Sequence, residues 1–189
     1  MAVREILQMG NHVLRQVARP VADATDPAVA NLVGDLRDTL ATCRAATGYG
    51  RAIAAPQVGA DLRLVFLNVD HPWPLVNPQI VTWGPETMLV WDACLSFLSI
   101  FFQVRRNRWI DVRYQDLSGA RRQLRAEGDL SELLQHEIDH LEGILAVDRI
   151  VDTRTMCTRE EFERRYRAES PYALRSRAEP APVGYNSSR

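Results

Sequence analysis

The sequence has little of what would tie it to a membrane or a polyanion. No apolar run approaches the roughly 18 residues of a spanning helix. The start, Met1-Ala2-Val3-Arg4-Glu5, lacks the charged-then-apolar layout of a secretory signal. Lys and Arg total 23 against 24 Asp and Glu, a net charge of -1, whereas phosphate-based binding needs a basic excess. Three widely spaced cysteines, Cys43, Cys94 and Cys157, make a poor disulfide framework and suit a reducing compartment. The expectation is a cytoplasmic chain with no membrane and no direct nucleic-acid partner; its oligomeric state is not written in the sequence. What is present is globular: 189 residues, 46% hydrophobic and 25% charged, about the size of one domain.

Patterning predicts an α+β fold, antiparallel strands packed around a buried central helix. The expected domain spans 1–169, with a core at 4–150, and a flexible Pro- and Ser-containing tail follows at 170–189. Residues 1–25 read as irregular structure wrapping the core. A helix begins after Asp26, with Pro27 in its first turn and Val29, Leu32, Val33, Leu36 and Leu40 at helical spacing. Gly48 and Gly50 end it and open a loop running to Gln57. Strands are predicted at 62–67, 79–82, 88–91 and 110–114, with a hairpin partner at 121–125 after Asp116-Leu117-Ser118-Gly119. A second helix follows Asp129 and is apolar over much of its circumference. A third, highly charged, covers about 158–167 and reads as a solvated helix.

The second helix carries the chemistry. His136-Glu137-Ile138-Asp139-His140 is an H-E-x-x-H, and four-residue spacing on a helix projects both imidazoles from one face toward a single metal ion. Glu137 stands beside the first ligand, placed to exchange protons with a water activated by the ion. A catalytic site needs a third protein ligand and an open position. A third histidine three residues past Gly143 is excluded because Ala146 stands there. Two candidates stay open on spacing alone: Glu160, about twenty residues downstream, and Cys94, just past the apolar stretch Met88–Trp91.

Three segments resemble the motifs of the peptide deformylases in order and separation. They are Gly50-Arg51-Ala52-Ile53-Ala54-Ala55-Pro56-Gln57, then Cys94-Leu95-Ser96, then Gln135-His136-Glu137-Ile138-Asp139-His140. The likeness covers roughly residues 4–150. It implies a metal-dependent hydrolase that removes the formyl group from N-formyl-methionyl peptides and releases formate. Cys94, His136 and His140 would hold one divalent ion, Fe(II) or Zn(II), with Ni or Co tolerated. Glu137 would be the general acid/base, and Gln57 with the Leu95 N–H would bind the oxyanion. Arg51, Ala52, Ile53, Asp92 and Leu133 would line the substrate site, and Arg106 would support Asp92. The resemblance also implies work on nascent chains, with the ribosome as a partner and the charged helix at 158–167 as one docking element.

The chain departs from the family pattern around the substrate. Arg51 and Ala52 replace an apolar residue and a glycine. Asp92 and Ala93 replace Glu and Gly before the cysteine. Phe97-Leu98-Ser99-Ile100-Phe101-Phe102 replaces a more polar run and reads equally as core or as a reshaped apolar pocket. Asp129 and Glu132 stand where the family has apolar side chains. Two other functions follow from these departures: an amidase for a different N-formyl compound, or a silent, metal-stabilised binding protein.

Overall fold

A computed structural model describes residues 2–169; the tail expected at 170–189 lies outside them. Helix α1 spans Pro27–Thr47. Asp26 caps it, Oδ1 accepting the Ala28 N–H at 2.8 Å, and it ends at Gly48 in a left-handed conformation, φ 78°. Gly50 follows at φ 127°, pressed so close to α1 that a Cβ there would lie 3.0 Å from a Leu40 methyl. The return of the chain onto α1 therefore requires glycine.

Five antiparallel strands form the main sheet in the order β1-β2-β3-β6-β7. They are β1 (Ala52–Ala54), β2 (Leu64–Asn68), β3 (Pro72–Trp83), β6 (Trp109–Gln115) and β7 (Arg121–Glu127). Between β3 and β6 the chain leaves for a second, antiparallel sheet of β4 (Thr87–Asp92), β5 (Ile100–Asn107) and the short β8 (Cys157–Thr158). Helix α2 (Gly128–Leu141) lies across both, and every residue from Ser131 to Leu141 is buried. A helix buried on all sides can carry Glu and His only if the fold partners them. Leu133, Leu134, Ile138 and Leu141 pack on Ala52, Ala54, Val65, Leu75 and Val112 of the main sheet. Gln135 ties α2 to the end of β5: its Oε1 accepts the Asn107 N–H at 3.0 Å and its Nε2 donates to the Asn107 carbonyl at 2.9 Å. Beyond α2, Gly143 touches the N-terminal segment so closely that a Cβ would sit 2.5 Å from the Arg15 carbonyl.

The α+β architecture agrees with the sequence expectation; several details do not. β3 is twelve residues long rather than four, because its prolines fall where they do no damage. Pro72 and Pro74 pair with β2 alone, since pairing to β6 begins only at Val76, and Pro78 sits at a register shift between Val76 and Gln79. Asn77, φ 51°, is fixed there by its side chain, which bonds both the N–H and the carbonyl of Val21 at 2.8 and 2.9 Å. α3 is shorter than expected, Arg159–Arg165, with Thr158 as its cap, and it is not solvated all round. Phe162 is fully buried, stacked on Phe101 with ring centroids 4.2 Å apart. The Phe97–Phe102 run divides between both readings: Phe97 and Phe102 are core, whereas Leu98 and Phe101 face the cleft described next.

Candidate metal centre and active-site cleft

β4 delivers Asp92 to the end of α2, and two residues later Cys94 caps the tight turn Leu95–Phe97, its Sγ accepting the Ser96 N–H at 3.4 Å. α2 presents His136 and His140 one turn apart, ring centroids 5.0 Å from each other. Cys94 Sγ lies 3.2 Å from His140 Nε2. Ligand atoms of Cys94, His136 and His140 all fall within 4.8 Å of one another, and all three residues are buried. One soft sulfur and two imidazole nitrogens are a donor set suited to Fe(II) or Zn(II), with room for a further ligand. The three residues fit a metal ion. Glu160, the other candidate, is exposed on α3 and outside this group.

The surroundings orient these ligands. His136 Nδ1 donates to Asp92 Oδ1 at 2.9 Å, which turns its other nitrogen inward. Burial disfavours a charged imidazole, but the Asp92 carboxylate outweighs it and holds the His136 pKa well above its ordinary value. Burial also opposes ionisation of Asp92; the charge on His136 and the guanidinium of Arg106 overcome it and depress the carboxyl. His140 goes the other way: burial, aided by the neighbouring His136 charge, keeps it neutral, the form that ligates a metal. Arg106 is 3% exposed and bridges Asp92 at 3.1 Å and Asp139 at 2.5 Å, and Arg149 caps Asp139 from outside at 2.7 Å. Asp92 and Arg106 thus meet even with the shorter carboxylate. Asp139, inside the motif itself, was not singled out from the sequence; its signal is a carboxylate at a fully buried helix position.

Glu137 is 3% exposed, one of its carboxylate oxygens finds no hydrogen-bond partner among the described residues, and burial raises its pKa to about 7. A carboxyl poised near neutrality can both take and return a proton. Gln57 Oε1 accepts the Ala54 N–H at 2.9 Å, which aims Nε2 at Ser96 Oγ and Cys94 Sγ, 3.2 and 3.4 Å away. Gln57, Cys94, Leu95, His136 and Glu137 line one cleft of about 590 Å³, open to solvent.

Of the expected substrate-lining residues, Arg51, Ala52, Asp92 and Leu133 face that cleft. Ile53 is a correction. Alternation along β1 turns its side chain to the opposite face, where it is fully buried against Leu36, Leu40 and Phe66. Arg51 Nη2 donates to Glu132 Oε2 at 2.6 Å, and both side chains are nearly buried. Another part of the cleft wall is aromatic, with Tyr49, Trp91 and Phe101 backed by Phe162 and Tyr166. Tyr49 Oη donates to Glu163 of α3, so the C-terminal segment holds this wall. Phe101 belongs to the run read as core or a reshaped pocket; Tyr49 and Trp91 went unassigned because their partners lie 52 to 114 positions away and meet them only in the fold.

Comparison with known proteins agrees with this geometry. The polypeptide deformylase family matches residues 3–156. A peptide deformylase of Desulfitobacterium hafniense is 42% identical over 154 residues, covering 81% of this chain and 98% of the relative. The crystal structure of peptide deformylase from Thermotoga maritima superposes with a TM-score of 0.75 at 33% identity, covering 80% of this chain and all of that one. A class I type b peptide deformylase from Acinetobacter baumannii, crystallised with Met-Ala-Ser, superposes at TM-score 0.72 and 28% identity, covering 79% of this chain and 99% of that one.

Proposed function

This chain belongs to the peptide deformylase family, and on that premise we propose how its residues share the work of removing the formyl group from N-formyl-methionyl peptides. Cys94, His136 and His140 would hold a divalent ion, Fe(II) or Zn(II), with Ni or Co as substitutes, and when bound it would supply Lewis acidity toward the formyl oxygen and the attacking water. Glu137 accepts a proton from that water as the oxygen bonds the formyl carbon. It then returns the proton to the amide nitrogen as the C–N bond breaks, leaving formate and a free amine. Gln57 Nε2 and the Leu95 N–H receive the negative charge that grows on the formyl oxygen; one such donor is worth about 3–4 kcal/mol of barrier. Asp92, seated on Arg106, keeps His136 correctly turned.

The observation that carries this reading is the gathering of Cys94, His136 and His140 beside a buried carboxyl with a pKa near 7. A nascent formyl-peptide substrate puts the protein in the cytoplasm near the ribosome. The charged face of α3 supports a solvated surface there rather than an RNA contact, since Arg164 and Arg165 are both paired with Glu161. The test is formate release from formyl-Met-Ala-Ser by the metal-loaded protein and by Glu137→Gln. Turnover by the wild type at least a hundredfold above the variant is expected; equal rates would refute the assignment.

A further inference from the structure

The two sides of the cleft differ in what stands behind them. Behind Phe101 the packing is solid, because Phe162 is stacked on it and fully buried. Behind Arg51 and Leu133 lies a second space, open to solvent and mixed in character, lined also by Leu67, Trp73 and Leu130 and by Asp70, His71 and Asp129. Arg51 and Leu133 face both spaces and so separate them, while Glu132 faces the first cleft alone and holds Arg51 in place there. Further space therefore lies on this side of the cleft. Glu132 precedes His136 by four residues on the same face of α2, about 6 Å along the axis. In a formyl peptide the first side chain branches from the carbon bonded to the scissile nitrogen, two bonds from the reacting carbon. It therefore lies within about one helical turn of the reacting carbon, against the pair.

A thioether pressed on this wall meets a guanidinium and a carboxylate, already largely out of water, and returns no hydrogen bond to either. A carboxamide of the same length offers an oxygen to Arg51 and an N–H to Glu132. From this we infer that Arg51 and Glu132 determine first-residue specificity, and that the cleft accepts formyl peptides whose first side chain ends in a carboxamide alongside formyl-methionyl ones. The inference rests on the deformylase reading above. Such a wall discriminates most strongly through its own unmet hydrogen bonds.

The test measures formate release by the full-length, metal-loaded protein from formyl-Met-Ala-Ser and formyl-Gln-Ala-Ser, whose first side chains are close in size. In the wild type, kcat/KM for the methionyl peptide should exceed that for the glutaminyl peptide by less than tenfold. In Arg51→Val/Glu132→Ile, which replaces the pair by apolar groups, the ratio should move toward methionine by at least tenfold. A wild-type ratio above ten, or a shift below tenfold in a double variant that still turns over the methionyl peptide, would overturn the inference while leaving the deformylase reading in place. If the double variant does not fold, the wild-type ratio alone decides. Formate from neither peptide would sink the deformylase reading and this inference with it.

Discussion

Glu137→Gln carries a stability consequence opposite in sign to its effect on activity. In the folded, metal-free protein burial lifts the Glu137 carboxyl from an ordinary 4.5 to about 7. The folded value lies above the unfolded one, so the contribution to stability is fully present below pH 4.5 and is lost as pH rises through 7. Ionising this carboxylate in the fold, where one oxygen has no partner among the described residues, costs about 3 kcal/mol across that interval. Glutamine has no such titration. In chelator-treated protein the variant should therefore gain on the wild type by about 2–3 kcal/mol between pH 5 and pH 8. Urea unfolding of both proteins at several pH values reads the difference directly, and subtracting one from the other cancels the remaining carboxylates. Any constant offset from packing is irrelevant; only the pH dependence counts. A difference between wild type and variant that stays flat from pH 5 to pH 8 would refute the argument that the fold raises this proton affinity chiefly through burial.

Three further outcomes follow from the same structure. Cys94→Ala should lose stoichiometric metal by elemental analysis while Glu160→Ala keeps it; the reverse would move the third ligand to α3. Arg106→Met strands two buried carboxylates, but Asp92 retains His136 and Asp139 retains Arg149, so the loss should sit near the low end for a broken buried pair, about 3 kcal/mol in chemical denaturation. A cost below about 1 kcal/mol would show that the pair is not the anchor described. Phe162→Ala empties a fully buried site beneath Phe101 and Trp91 and should cost about 3–5 kcal/mol, which thermal or urea unfolding would detect; a neutral result would mean that α3 does not hold the aromatic wall.

Much of the fold was legible because local rules were obeyed. α1 announces itself through Asp26, Pro27 and the apolar spacing that follows, and α2 through a run of apolar positions that resumes after each polar one. β3 was read as the four residues 79–82, and only the sheet order shows that the strand runs through Pro74, beside an unpaired edge, and Pro78, at a bulge. Ile53 was placed at the substrate by the family resemblance, and β1, three residues long and buried throughout, offers no alternation in sequence that would have separated the faces. α3 looked solvated because six of its seven residues are charged; the single Phe162 was enough to dock it.

Short-range geometry is what a sequence can write down. The i, i+4 spacing of His136 and His140 places two imidazoles on one helix face wherever that helix goes, and Glu137 comes with them. Everything that sets the chemistry of those groups came from pieces remote in the chain. Asp92 reaches His136 across 44 positions, Arg51 reaches Glu132 across 81, and Cys94 joins His140 across 46. No periodicity encodes such encounters, because they depend on which sheet faces are buried and how closely loops such as the one at Gly50 can approach. Burial then converts them into function, since removal from water makes each carboxylate, imidazole and guanidinium answer to its nearest partner.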